Sequence, residues 1–276
     1  MIVKNKIAIQ GIKGSFHHAV AQLYFNEGIS TMCCNSFDDL VNSVLAGRSD
    51  YGVIAIENSI AGSIIPNYAL IDQNDISIVG EYYFQIHHAL LALPNQNIED
   101  ISEVYSHPMA ILQCKDFFIK YPHIKLVEAD DTANAAKDIF KNNIHKRAAI
   151  ASQTAAVLYD LNVIENSIQT INNNITRFVI IQNKSASGNI NYNKASLKFI
   201  LDHKRGSLAT VLNVMSDCKL NLTKIQSLPI IETPGKYSFF VDVTFDSSSS
   251  FKKAQSILEI MALEVKILGE YKNGKN

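Results

Sequence analysis

Tyr51-Gly52-Val53-Ile54-Ala55-Ile56-Glu57-Asn58-Ser59 is an apolar, β-branched run that ends abruptly in a carboxylate, an amide and a hydroxyl. Such a run reads as a strand, and its polar end falls where open α/β sheets bind their ligands. Similar short runs recur at residues 6–10, 76–80, 103–105, 147–151 and 177–182. Helical patterns lie between them, at 15–26, 36–46, 62–71, 108–120, 132–140 and 152–159. Strands alternating with helices predict an α/β architecture with mainly parallel strands. The helical reading is clearest at Ala110, Ile111, Cys114, Phe117 and Phe118, whose spacing makes one apolar face.

The pattern changes at Asn183-Lys184-Ser185-Ala186-Ser187-Gly188-Asn189-Ile190-Asn191, a polar stretch that reads as a linker. Beyond it the order becomes strand (196–201), helix (206–218), strand (221–231), strand (237–245), helix (251–261), strand (264–271). That is βαββαβ, a ferredoxin-like arrangement. Alternation of Tyr237, Phe239, Val241 and Val243 puts one face on the helices and leaves the face with Phe240 and Asp242 free. A free sheet face of this kind leads to the expectation of a homo-oligomer, a homodimer or homotetramer.

The composition excludes several function classes. With 276 residues, 18% charged and net charge -1, the chain has no basic excess to neutralise phosphates, so nucleic acid is not expected as a partner. Apolar stretches such as Ala89-Leu90-Leu91-Ala92-Leu93 are far short of the ~20 residues a membrane span needs, so no membrane partner is expected. The N-terminus runs into a strand without a signal-peptide pattern, which predicts a cytoplasmic location. Cys33, Cys34, Cys114 and Cys218 form no CxxC pair and read as reduced thiols. His17-His18 and His87-His88 are adjacent pairs, poor geometry for one metal, and no metal or other cofactor is expected. Gly11-Ile12-Lys13-Gly14-Ser15 lacks the spacing of either nucleotide-binding glycine loop.

Chemistry-bearing residues gather at the strand ends. Ser15, Ser63, Ser106, Thr132 and Ser152 stand at candidate helix starts, where a hydroxyl caps free N–H groups and the helix dipole favours an anion. Glu57 and Asn58 suit hydrogen bonding to a hydroxyl or carboxylate. Gln113 lies two turns after Ser106, on one face with it if Ser106 caps that helix. Thr176-Arg177-Phe178 sets a hydroxyl beside a guanidinium at a strand entrance, a pairing suited to a leaving hydroxyl and a carboxylate.

Together these segments resemble the prephenate dehydratase family with a C-terminal ACT regulatory domain. The resemblance is carried by Gly11-Ile12-Lys13-Gly14-Ser15-Phe16, the run from Gly52 through Ser63, Ser106-His107-Pro108 with Gln113-Cys114, and Asp131-Thr132-Ala133-Asn134-Ala135-Ala136. Ala148-Ala149-Ile150-Ala151-Ser152, Asn173-Asn174-Ile175-Thr176-Arg177-Phe178, Gly206-Ser207-Leu208-Ala209 and the run from Asn221 through Pro229 extend it over nearly the whole chain. It implies a catalytic region (1–183) of two periplasmic-binding-protein-like α/β subdomains with the site in their cleft, and an ACT domain at 194–272. It implies conversion of prephenate to phenylpyruvate with loss of carbon dioxide and water, in phenylalanine biosynthesis.

By the same resemblance, Thr176 acts at the leaving hydroxyl, Arg177 pairs with a carboxylate or braces the site, and Glu57 orients its neighbours. Asn58, Ser106, Gln113 and Thr132 position substrate, with Ser15, Ser152 and Phe178 beside them. Phenylalanine is the implied effector, at Gly206, Ser207, Leu208, Asn221, Leu222, Gln226 and Ser227. Gln226 and Leu228 stand where the family has Glu and Arg, and Ile12 and Ser15 where it has Pro and Thr. An arogenate dehydratase and a non-catalytic amino-acid-binding regulator are the competing readings. No chorismate mutase or dehydrogenase segment is expected before Ile7 or after Tyr271.

Overall fold

The computed structural model describes residues 5–26, 28–184, 191–230, 233 and 235–275. In chain order the elements are β1 (Lys6–Gln10), α1 (Phe16–Phe25), β2 (Ser30–Cys34), α2 (Phe37–Leu45), β3 (Tyr51–Asn58), β4 (Gly62–Ser63), α3 (Ile65–Gln73), β5 (Ile76–Gln85) and β6 (Ala89–Ala92). There follow β7 (Glu103–Ser106), α4 (Pro108–Phe118), β8 (Lys125–Glu128), α5 (Thr132–Asn142), β9 (Arg147–Ala151), α6 (Gln153–Leu158), β10 (Asn162–Glu165) and β11 (Ile175–Asn183). The chain finishes with β12 (Lys194–Ile200), α7 (Ser207–Asp217), β13 (Asn221–Pro229), β14 (Tyr237–Thr244), α8 (Ser248–Met261) and β15 (Glu264–Tyr271). The expected linker falls mostly on 185–190, outside the described residues.

Two packing units emerge, and they do not follow chain order. The first holds the described residues up to Gly62 and Tyr83–Phe178; the second holds Ser63–Tyr82 and everything described from Val179 onward.

Two lobes make up the first unit, each built on its own sheet. One has the strand order β11-β3-β1-β2, with β1 parallel to both β2 and β3. The other has the order β10-β6-β9-β7-β8 and is mixed: β7 runs parallel to β8 and β9, whereas β6 runs antiparallel to β9 and β10. Helices cover both faces of this second sheet, which is why β6 is a continuous apolar run. Leu91 packs toward one core with Ala136, Ile139 and Ala155, and Leu90 toward the other with Ala110, Cys114 and Phe118. Alanines at 148, 149 and 151 on β9 bring those helices close to the strand.

The second unit contains the expected βαββαβ domain, with antiparallel strand order β13-β14-β12-β15. Ala195, Leu197, Phe199, Val241 and Val243 face α7 and α8 around a core with Val211, Met215, Phe251 and Leu258. The opposite sheet face, read from the sequence as free, is covered. Phe240 and Asp242 are buried, and α3 packs over this face: Tyr68 meets Phe240 with ring centroids 5.6 Å apart. The basis for expecting this face to pair with another copy is thereby removed. Buried charge fastens the cover, with Lys194 Nζ 2.8 Å from both Glu81 oxygens and Lys198 Nζ 3.0 Å from Asp72. β15 approaches β5 so closely that a Cβ at Gly269 would fall on the Ile78 carbonyl, so no larger residue fits without moving a strand.

Other departures from the sequence reading are local. The helix expected at 62–71 begins at Ile65, and Ser63 lies in β4, its Oγ accepting from Lys224 Nζ at 2.8 Å rather than capping. β5 runs five residues beyond the expected strand, and β2, β6, β8 and β10 have no counterpart among the expected strands. Among the described residues no helix is long and apolar enough to cross a membrane.

Candidate active site

The site grows from the meeting of β3 and β11. Ser59, directly after β3, is tied to the start of β11 three times: its N–H donates to Ile175 O (2.8 Å), its Oγ donates to Asn173 O (3.1 Å), and Ile175 N donates to that Oγ (2.9 Å). Asn58 and Thr176 are thereby placed side by side. Asn58 Oδ1 accepts from Ile60 N (2.9 Å) and Ala61 N (2.8 Å), which closes the turn after the strand and leaves Nδ2 to donate. Nδ2 donates to Thr176 Oγ1 at 2.9 Å and to Asn174 Oδ1 at 2.6 Å.

Asn174, almost fully buried, carries the chain of bonds to the other lobe. Its Nδ2 donates to Gln113 Oε1 on α4 (2.9 Å), and His88 Nε2 lies 2.8 Å from the same oxygen. Phe16, at the start of α1, sets its ring 5.7 Å from His88 and 6.2 Å from Phe84. Thr176, Asn58 and Gln113 are thus brought together, and Asn174 and His88 complete the row. Asn174, just ahead of β11, stands two residues before Thr176, the spacing that puts residues on one face of an extended chain. His88 was weighed only as a metal ligand.

A second junction holds the turn of Gly11 to Ser15. Gly14 has φ +92°, and a Cβ on it would meet Tyr159 at 3.2 Å and Ala155 Cα at 3.3 Å, so the left-handed backbone and the close packing both demand glycine. Ser152 Oγ donates to Gly14 O (2.7 Å) and Tyr159 Oη to Lys13 O (2.5 Å).

Against this geometry the family model for prephenate dehydratase matches residues 7–186. The chain belongs to the prephenate dehydratase family. It is 34% identical to an arogenate dehydratase/prephenate dehydratase 2, chloroplastic, of Arabidopsis thaliana over 96% of this chain and 72% of that protein. Among solved structures, a prephenate dehydratase from Arthrobacter aurescens in complex with L-Phe superposes with TM-score 0.87 at 23% identity, covering 98% of this chain and 90% of that one. A quorum quenching acylase, GqqA, superposes with TM-score 0.86 at 25% identity, covering 96% and 97%.

Several residues assigned to the site by resemblance to the prephenate dehydratases sit elsewhere. Ser106 is the last residue of β7 rather than a helix cap; its buried Oγ donates to Ile150 O (2.7 Å), and His107 Nδ1 caps α4 instead. The two-turn relation of Ser106 to Gln113 therefore does not apply. Phe178 is buried edge-on against His17, centroids 5.0 Å apart, and serves as core rather than as a substrate contact. Ser152 caps α6 and its hydroxyl hydrogen is given to Gly14, so it holds the turn rather than a ligand. Ser15 does cap α1, accepting from His18 N at 3.3 Å.

Asp131, not Thr132, caps α5, and Thr132 is the half-buried first residue of that helix. Alternation along β11 points Arg177 away from Thr176, and its guanidinium is buried 6.0 Å from the Tyr83 ring centroid. Alternation along β3 likewise turns Glu57 away from Asn58. Among the described residues no three His, Cys, Asp or Glu side chains gather as a metal site would require.

In the second unit Gly206 begins α7 with φ +85°, and Ser207 and Leu208 line a cavity of about 130 Å³ with Asp202, Lys204, Tyr237 and Phe239. Asn221, Leu222, Gln226 and Ser227 lie on β13, the edge strand, outside that lining.

His17, wedged between Phe178 and Phe37, has a buried Nε2 with no hydrogen-bond partner among the described residues, and burial pushes its imidazole pKa down to about 4. It is neutral in the folded protein at pH 7. An unfolded chain binds a proton at His17 below about pH 6.5, so stability rises with pH between about 4 and 6.5. Urea unfolding across that window will show the decline on acidification, and His17→Phe will make it shallower.

Proposed function

We propose that the protein is a prephenate dehydratase, converting prephenate to phenylpyruvate, carbon dioxide and water. The observation that carries this is the direction of the hydrogen bond between Asn58 and Thr176. Asn58 donates, so Thr176 Oγ1 accepts, and the threonine hydrogen is left to be donated outward. In the reaction, electrons of the bond to the departing carboxylate enter the ring and expel the hydroxyl on the opposite ring carbon. That oxygen needs a hydrogen-bond donor as charge develops on it, and Thr176 supplies one already oriented. The same bond argues against nucleophilic attack by Thr176, because an amide N–H cannot take its proton.

Gln113 Nε2 and the Thr132 hydroxyl, neither bonded to another described residue, are the groups for the substrate's remaining oxygens. Arg177 and Glu57, turned to the other faces of their strands, brace the site. Decarboxylation draws its driving force from aromatisation, so the protein's tasks are to orient the dianion and to donate at the leaving oxygen.

The βαββαβ domain acts as an ACT domain that senses phenylalanine. Its cavity is lined by the rings of Tyr237 and Phe239 and by Asp202 and Lys204, which pair with each other at 2.8 Å and would open toward the ammonium and carboxylate of an aromatic amino acid. In this reading a second copy meets edge strand β13, with Asn221, Leu222, Gln226 and Ser227, and a homo-oligomer completes the effector site. Steady-state turnover of prephenate and of arogenate, each with and without phenylalanine, tests this reading. Prephenate is expected to be the better substrate and phenylalanine to slow it. Turnover of arogenate alone makes the protein an arogenate dehydratase, and turnover of neither removes the enzyme reading.

A further inference from the structure

The row of amides has a fixed direction, and its far end is a histidine. Backbone N–H groups of Ile60 and Ala61 can only donate, so Asn58 Oδ1 accepts and Asn58 Nδ2 donates. Asn174 must then receive that bond on Oδ1 and donate from Nδ2, which makes the Gln113 atom facing it the oxygen. That oxygen also lies 2.8 Å from His88 Nε2, and two lone pairs do not share such a distance. His88 therefore carries its proton on Nε2. The other ring nitrogen agrees: Nδ1 is buried with no hydrogen-bond partner among the described residues, where a bare lone pair costs less than an unsatisfied N–H.

We infer that His88 is a positioning residue of the prephenate reaction, holding Gln113 with its oxygen turned inward and its Nε2 amino group presented to substrate. The inference rests on the dehydratase reading above. His88 is itself held in place on several sides. Its N–H donates to Gln169 Oε1 (2.9 Å), its carbonyl accepts from Ile168 N (3.0 Å), and Phe16 packs edge to face on its ring. Burial lowers its basicity, which keeps the ring neutral near pH 7. With both donors in place, Gln113 Oε1 is saturated and only its amino group remains to meet a ligand. Without His88, one of the two bonds that fix the Gln113 amide is gone, and misplacement of a substrate-binding group on the scale of 1 Å costs on the order of 10²-fold in rate.

Two measurements test this. In the ligand-free protein with ¹⁵N-labelled histidine, NMR is expected to show His88 as the Nε2–H tautomer, with that preference relaxed in Gln113→Leu. A His88 protonated on Nδ1, or on both nitrogens at pH 7, overturns the inference whatever the enzyme's activity. In kinetics, His88→Leu is expected to lower kcat by about 10²-fold, whereas His88→Gln, whose amide nitrogen reaches the place of Nε2, restores most of it. The double variant His88→Leu, Gln113→Leu should be no slower than Gln113→Leu alone. Wild-type turnover in His88→Leu, or losses that multiply in the double variant, overturn the inference. Failure of the wild-type protein to turn over prephenate or arogenate instead counts against the dehydratase reading, and the NMR result still decides the hydrogen-bond direction.

Discussion

Thr176→Ala is expected to lower kcat for prephenate by about 10²–10⁴-fold, the usual contribution of a positioned proton donor, with little change in KM. The split follows from geometry. On the proposed role the hydroxyl meets the leaving oxygen, whose charge grows only on the way to the transition state, so its loss is expected in turnover more than in ground-state binding. Thr176→Ser keeps the oxygen that accepts from Asn58 and is expected to fall between the two. Asn58→Leu removes the donor that orients Thr176 and also the acceptor for Ile60 and Ala61 N–H, so it lowers kcat and loosens the turn after β3. A Thr176→Ala protein with unchanged kcat would show that the leaving hydroxyl is assisted from elsewhere.

Lys194→Met is expected to destabilise the second unit by about 3–5 kcal/mol, the cost typical of removing one partner of a buried ion pair. The Lys194 and Glu81 side chains are 2% and 0% exposed, and Glu81 also accepts from Gly274 N at 2.9 Å. Removing the ammonium takes the Lys194 cation away from the buried Glu81 carboxylate. Adding Glu81→Gln to Lys194→Met removes that charge, so the double variant is expected to be more stable than Lys194→Met alone. Urea titration followed by far-ultraviolet circular dichroism reads both. A double variant as unstable as the sum of its parts would mean that the pair does not act as a unit.

The α/β alternation and the βαββαβ order were legible because strand and helix periods differ and the hydrophobic pattern shows which is present. β6 was harder, since a strand buried on both faces loses its alternation and Ala89-Leu90-Leu91-Ala92 fits helix or strand alike. β2, β8 and β10 are short and only partly buried, so little in their sequences distinguishes them from loop. The cover over Phe240 and Asp242 was out of reach for a different reason. It is built by residues 63–82, more than 150 positions earlier in the chain, and no local pattern reports a partner that distant.

The site divides along similar lines. Asn58, Thr176 and Gln113 were identified from residue type and from the family resemblance, and the structure joins them through Asn174. What the sequence could not show is which hydroxyls are spent: Ser106 and Ser152 have the right chemistry and the right neighbourhood, but each gives its hydrogen to a backbone carbonyl. Strand alternation should have separated Arg177 from Thr176. Thr176 and Arg177 are neighbours in sequence, but consecutive strand residues face opposite ways.

Phenylpyruvate formation from prephenate by the purified protein, followed together with carbon dioxide release, bears most directly on the role of Thr176 in the dehydratase reaction. The expected result is equimolar release of phenylpyruvate and carbon dioxide at a rate that falls about 10²-fold or more in Thr176→Ala. A folded wild-type protein that leaves prephenate unchanged, or a Thr176→Ala variant as fast as wild type, would contradict it.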